Sequence, residues 1–222
     1  MQAGPCRQPL PLLVESLGCR PYEEVWRAMQ DFSAGRDPAT RDRLWLLEHP
    51  PVFTLGLNAK PEHLLAPGDI PVVQTDRGGQ VTYHGPGQLV VYLLLDLQRR
   101  GLGVQRLVRD IEQAVIDWLA TRGVAAAARR DAPGVYVEGA KLASLGLRVR
   151  RGRCYHGLAL NVDLDLEPFS RINPCGYAGM PVTRLADLGI GLDVAGAGAA
   201  LQSHLADVLG YTIVPRTQDS HG

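Results

Sequence analysis

A cysteine in a tight turn is the first residue of this chain that could do chemistry. Cys175 follows Pro174, which fixes the chain before it, and precedes Gly176, which removes the side chain after it. Such a turn can expose a sulfur and aim backbone N–H groups at one point, where they could hold the oxyanion of a tetrahedral intermediate. Cysteine attacks as the thiolate, and an ordinary pKa of roughly 8.5 leaves only a few per cent ionised near neutrality. A cation must therefore stand beside it. Two candidates present themselves: His84, in a glycine-rich stretch, and Lys141, just after a Gly139-Ala140 bend. Of the 23 basic residues only Lys60 and Lys141 are lysines, the rest being arginine. A lysine kept against that bias hints at an amine that must be able to lose its proton. Lys141 also borders an apolar run that a sheet would bury, and a charge there needs a partner. Ser144 has no base placed next to it and reads as a small strand residue. Cys6 and Cys19, in or near an N-terminal arm, and Cys154, at a strand start, read as structural or incidental.

The glycine-rich stretch, D-R-G-G-Q-V-T-Y-H-G-P-G-Q at 76–88, directly precedes an apolar run at 89–95 that reads as a buried strand. It is expected to be a loop whose backbone approaches something closely. Within it, Arg77 could pair with an anion and His84 titrates near neutral pH. A phosphate loop is excluded, because G-x-x-x-x-G-K-[ST] is absent and a strand follows. Arg, Thr, Tyr, His and Gln crowded around four glycines point to the lining of a site.

The elements that must position these residues form one α+β domain with a mixed sheet and flanking helices. Residues 12–17 read as a first strand. After Pro21, Tyr22, Val25, Trp26, Met29 and Phe32 recur at helical steps. Short strands at 44–47 and 52–55 flank His49-Pro50-Pro51, a kink that no ladder crosses, and His49 reads as a loop histidine. A loop at 58–70 and a strand at 72–74 lead into the glycine stretch. Val104, Leu107, Ile111, Val115 and Leu119 mark the longest helix, which Gly123 would stop. The Ala- and Arg-rich link at 124–131 has no clear state. Strands at 135–137, 142–149 and 155–162, joined by Glu138-Gly139 and Arg151-Gly152 turns, predict a meander. Residues 163–184 lack periodicity, and 194–209 read as a closing helix. The expected organisation is a loose arm at 1–10, one domain over 11–214 and a tail at 215–222.

Composition narrows the class of function. Formal net charge is zero and the isoelectric point about 7.0, so there is no electrostatic case for nucleic acid or an anionic membrane. No run has transmembrane length, and the N-terminus lacks a basic segment before an apolar core. Four scattered cysteines without C-x-x-C argue for free thiols in a reducing cytosol rather than disulfides or zinc. A cytoplasmic protein with no metal site is expected.

Several segments together carry a resemblance. R-G-G-Q-V-T-Y-H-G-P-G-Q at 77–88, G-A-K-L-A-S-L-G at 139–146, H-G-L-A-L-N-V at 156–162 and N-P-C-G at 173–176 are similar to those of the lipoyl(octanoyl) transferases. E-H-P-P-V-F-T-L-G at 48–56 fits the same family, and the match runs in order from about residue 12 to 210. Leu57 departs from it, standing where many members carry a basic residue. The resemblance implies a fold like the biotin/lipoate protein ligase catalytic domain, and a two-step acyl transfer without cofactor. Cys175 would take octanoyl from octanoyl-acyl carrier protein. The acceptors would be lysines of lipoyl domains, in 2-oxoacid dehydrogenase E2 subunits and the glycine cleavage H protein. Lys141 would stabilise the thiolate and then help deprotonate the incoming amine. Arg77, Gly78, Gly79, Gln80, Val81, Thr82, Tyr83 and His84 match the family's substrate-binding segments, as do Ser144, Leu145, Gly146, Gly157, Leu158 and Ala159. A monomer is expected. The meeting of Cys175 and Lys141, 34 positions apart, is itself implied only by the resemblance. An ATP-dependent lipoate ligase would show R-R-x-x-G-G-G, where this loop begins Asp76-Arg77-Gly78-Gly79. An amidotransferase between lipoyl domains has motifs less like these, and a non-catalytic scaffold would lack Cys175 or Lys141.

Overall fold

The computed structural model describes residues 8–215. Strand β1 (Leu10–Cys19) leads to helix α1 (Tyr22–Gly35), then β2 (Asp42–Glu48), β3 (Val52–Leu55), β4 (Val72–Gln74), β5 (Val81–His84) and β6 (Gln88–Asp96). A single turn of helix, α2 (Leu97–Arg100), precedes α3 (Val104–Ala120) and the two-residue β7 (Ala127–Ala128). The meander β8 (Gly134–Val137), β9 (Ala140–Arg150) and β10 (Arg153–Asn161) follows, and α4 (Val194–Leu209) and β11 (Tyr211–Val214) close the described chain.

Eight strands form a mixed sheet in the order β11-β1-β2-β6-β10-β9-β8-β7, parallel between β11, β1 and β2 and antiparallel beyond. Central β6 is apolar from Leu89 to Leu95 because both its faces are covered. Leu89, Val91, Leu93 and Leu95 face one core with Ile111 and Trp118 of α3 and Leu201 and Leu205 of α4. Val90, Tyr92 and Leu94, alternating with them, face a second core with Val25 and Met29 of α1. Each such buried leucine stabilises the fold by about 1.5–3 kcal/mol. The meander's turns are tight, with positive φ at Glu138-Gly139 and at Arg151-Gly152.

The structure departs from the sequence reading in four places. The stretch 76–88 is not one loop: Val81–His84 forms β5, which pairs with β3. With β4 on the other edge of β3, this makes a second, three-stranded sheet beyond the Pro50-Pro51 kink. A four-residue strand, β11, was not foreseen; it pairs with β1 at Leu10–Leu13, so Leu10 belongs to the sheet rather than to an arm. Cys19 ends β1 instead of lying near an arm, and Ala127–Ala128 of the unassigned link pair with β8. Residues 1–7, with Cys6, and 216–222 lie outside the described residues.

Candidate active site

Lys141 and Cys175 meet because the chain beyond the cysteine returns to β9. The Lys141 amide donates to the Pro181 carbonyl at 2.8 Å, and the Thr183 amide donates to the Lys141 carbonyl at 3.0 Å. At this point β8 and β9 slip register between Val135 and Tyr136, and bulges of this kind re-aim side chains. Lys141 is 2 % exposed, and its Nζ donates to Cys175 Sγ at 2.7 Å. The same Nζ lies 5.3 Å from the centroid of the Tyr136 ring, which offers a cation–π contact.

The cysteine turn is clamped from upstream. The Asn173 amide donates to the His63 carbonyl at 2.8 Å, and the Leu65 and Ala66 amides both donate to the Arg171 carbonyl. Residues 58–70, read from sequence as a plain loop, therefore hold the turn in place. Cys175 has φ 56° and ψ 16°, a left-handed conformation that costs a non-glycine residue about 1–2 kcal/mol. The turn leaves the sulfur partly exposed, but its amides are not all free. Gly176 donates to Asn173 O at 2.9 Å and Tyr177 to Pro174 O at 3.1 Å, so neither can serve an oxyanion as the turn stands.

Cys175 borders a pocket of about 540 Å³. Ser144, Leu145 and Gly146 of β9 and Gly157, Leu158 and Ala159 of β10 line it, facing Gly79, Gln80, Val81 and Thr82. Arg77 also reaches the pocket, 7 % exposed, and no carboxylate meets its guanidinium among the described residues. It donates to Thr54 O at 2.6 Å, Thr54 Oγ1 and Gly78 O, which ties the glycine stretch to β3. His84 is buried, and Gln88 Oε1 lies 2.7 Å from its Nδ1. Burial above all, and then His49 nearby, push the His84 imidazole down to about 3, so it is neutral near pH 7. Of the two candidate cations, only Lys141 is in hydrogen-bond contact with the sulfur. His49 lies in the connection between β2 and β3, as read, but it is buried there. It sits between Arg20 O and the Tyr92 hydroxyl, and burial lowers it to about 4.

Beside the pocket, Asp76 gathers a polar knot. Trp26 Nε1 donates to its Oδ1 at 2.8 Å, the Tyr155 hydroxyl donates to Oδ2, and His156 Nε2 lies 3.0 Å from Oδ1. Burial opposes the Asp76 charge, yet the bonds from His156, Tyr155 and Trp26 outweigh it and hold the carboxyl well below its ordinary range. This knot joins α1, the head of the glycine stretch and β10. Among the described residues no group of three or more His, Cys, Asp or Glu is placed to hold a metal ion, and no helix is long and apolar enough to cross a membrane.

Residues 21–206 match the family model described as the lipoyl protein ligase A/B catalytic domain. The chain belongs to this family. It is 61 % identical to an octanoyltransferase of Marinobacter nauticus over 207 residues, 93 % of this chain and 98 % of the relative. An octanoyltransferase of Methylococcus capsulatus is 63 % identical over 198 residues, 89 % of this chain and 96 % of the relative. Among solved structures, a putative lipoate protein ligase from T. acidophilum with bound lipoic acid superposes with a TM-score of 0.70 at 16 % identity, covering 94 % of this chain and 88 % of that one. Biotin protein ligase from Aquifex aeolicus gives 0.53 at 13 % identity, covering 89 % and 68 %. These likenesses establish the shared fold.

Of the fourteen substrate-binding positions that the family resemblance points to, all but two line one pocket. Gly78 lines an adjoining cleft, and Tyr83 turns away, its ring packed between Phe53 and Phe169 in the core of the small sheet. Sequence reasoning passed over Asp76, Tyr155, His156 and Gly134. Asp76 heads the glycine stretch and His156 heads the H-G-L-A-L-N-V segment, so a charge and an imidazole beside buried strands were the available signals.

Proposed function

We propose that this member of the family moves an octanoyl group from the thioester of an acyl carrier protein to a lipoyl-domain lysine through an acyl-enzyme on Cys175. Octanoyl transfer in protein lipoylation is the activity of the octanoyltransferase branch in which the chain falls, and the family acts on lipoyl domains. The observation that carries the route is the 2.7 Å contact from the Lys141 ammonium to the Cys175 sulfur at the edge of a largely apolar pocket. A buried ammonium whose hydrogen bond goes to sulfur supplies the positive charge that a thiolate nucleophile needs.

In the first half, the Cys175 thiolate attacks the thioester carbonyl carbon. A C–S bond to the enzyme forms, the donor C–S bond breaks, and the departing thiolate takes a proton. In the second half, the acceptor lysine amine attacks the acyl-cysteine carbonyl and gives up a proton, and the thiolate of Cys175 leaves. Lys141, neutral after yielding its proton to the first leaving group, is placed to accept that proton, which restores the starting ion pair. Exchange of a thioester for an amide runs downhill without an activating nucleotide. The acyl chain would lie along β9 and β10 between Ser144–Gly146 and Gly157–Ala159. Residues 11–214 would act as one catalytic unit, supported by a main sheet whose strands run from β1 to β11.

Intact mass spectrometry tests the route. Mixing the protein with octanoyl-acyl carrier protein should add one octanoyl group, lost on adding a lipoyl domain and absent in Cys175→Ser. Octanoate incorporation that depends on ATP, with no adduct from a competent thioester, would mean a ligase instead.

A further inference from the structure

Cys175 stands where two clefts meet. The second, of about 900 Å³, shares Gly79, Gln80, Leu145 and Gly146 with the pocket already described. It continues past Val104, Val108 and Pro133 into a third space of about 1400 Å³ between α3 and the segment 128–133. Arg109 of α3 and Arg130 of that segment line this far end, and both are exposed. Their neighbours are engaged: Arg106 pairs with Asp110 at 2.6 Å and Arg129 with Asp131 at 2.6 Å. Arg109 and Arg130 have no ion pair among the described residues. The acidic side chain lining the same end, Glu112, is turned inward, 6 % exposed, and accepts from the Gly134 amide at 2.8 Å.

A thioester donor extends from its carbonyl in two directions. With that carbon at Cys175 and the acyl chain in the first pocket, the thiol arm must leave by the second cleft. The arm of an acyl carrier protein is a phosphopantetheine, with two amides nearer the sulfur and, at its far end, a geminal dimethyl group beside the phosphodiester. The groove matches that order: Val104 and Val108 line both the second cleft and the third space, where the methyl groups would lie, and two guanidinium groups without an ion pair among the described residues line the far end with them. Arginine is the side chain best suited to a phosphate. We infer that this groove is the donor-arm channel and that Arg109 and Arg130 bind the arm's phosphate. The inference rests on the acyl-cysteine reading above.

Three octanoyl donors test it, with Cys175 acylation read by intact mass: the pantetheine thioester, the 4′-phosphopantetheine thioester and the carrier protein itself. The unaltered protein should use the phosphorylated small donor faster than the unphosphorylated one. The double variant Arg109→Ala, Arg130→Ala should lose about 10-fold in acylation kcat/KM with both phosphorylated donors, the sum of two exposed charge contacts. Its rate with the pantetheine thioester should not change, which also shows that the fold is intact. Equal losses with all three donors would overturn the inference, as would a loss confined to the carrier protein, which would mark a protein-docking surface. A loss confined to transfer onto the lipoyl domain would overturn it too. If the unaltered protein took octanoyl from none of the donors, the acyl-cysteine reading itself would fall, and this inference with it.

Discussion

The stem of Lys141 passes over the backbone of Gly134: a Cβ on that glycine would lie 2.6 Å from Lys141 Cε and 3.3 Å from Nζ. Gly134 has φ 151°, and its amide donates to buried Glu112. The glycine thus gives the ammonium its path to the sulfur.

Gly134→Ala should therefore damage both stability and chemistry. The new methyl would also collide with the Ala143 carbonyl, so relief requires backbone movement. A loss of about 1–3 kcal/mol in urea unfolding is expected. Octanoylation of Cys175 should slow by at least about 10-fold as Nζ is displaced. Full acylation rates in a folded variant would mean that the lysine reaches the sulfur by another path.

Lys141→Arg separates the two roles given to the amine. A guanidinium keeps its charge but does not release a proton near neutrality. Acylation of Cys175 should persist at a reduced rate, while transfer to the lipoyl lysine falls by about 100-fold or more. Unchanged turnover in single-mixing and double-mixing assays would remove proton acceptance from Lys141.

The thiols should differ sharply toward iodoacetamide. Burial pushes the Cys154 thiol up to about 12, and it is 1 % exposed, so it should stay unmodified in the native protein. Cys175 and exposed Cys19 should be alkylated, and prior octanoylation should protect Cys175 alone. Peptide mapping reads all three; labelling of Cys154 at native pH would show that the core opens.

Acid should weaken the fold through two histidines. Burial lowers His49 to about 4 and His84 to about 3, against 6.5 for an exposed imidazole. Between those values and 6.5 the unfolded chain binds protons that the folded chain refuses, so stability rises with pH across this window. Their contribution is complete above about pH 6.5 and drains away as pH falls toward 4 and below. A thermal midpoint that stays level from pH 7 to 4.5 would contradict this. His49→Gln, with the Tyr92 contact rebuilt through its amide, should flatten the slope.

Much of the scaffold was legible because its signals are local. The apolar run at 89–95 announced a doubly covered strand, and the stripe from Val104 to Leu119 announced α3. β5 was hidden because its four residues lie among glycines, and it becomes a strand only by pairing with β3. β11 was hidden for a similar reason, since only Tyr211 of its four residues is buried. At the site, residue types alone left both His84 and Lys141 open as cations for the thiol, and only the family resemblance singled out Lys141. Position decides between them: both are buried, but Lys141 reaches the sulfur while His84 is held against Gln88, and position is a property of the assembled fold. The bridge from Lys141 to Val182 that joins the two halves of the site leaves no periodic trace in the sequence.

The parallel pairing of β1 with β11 sets Leu10 beside Tyr211 on one margin of the sheet, with β2, β6 and β10 between that margin and β9. The described chain therefore enters and leaves the sheet on that margin, with three strands between it and the strand that carries Lys141.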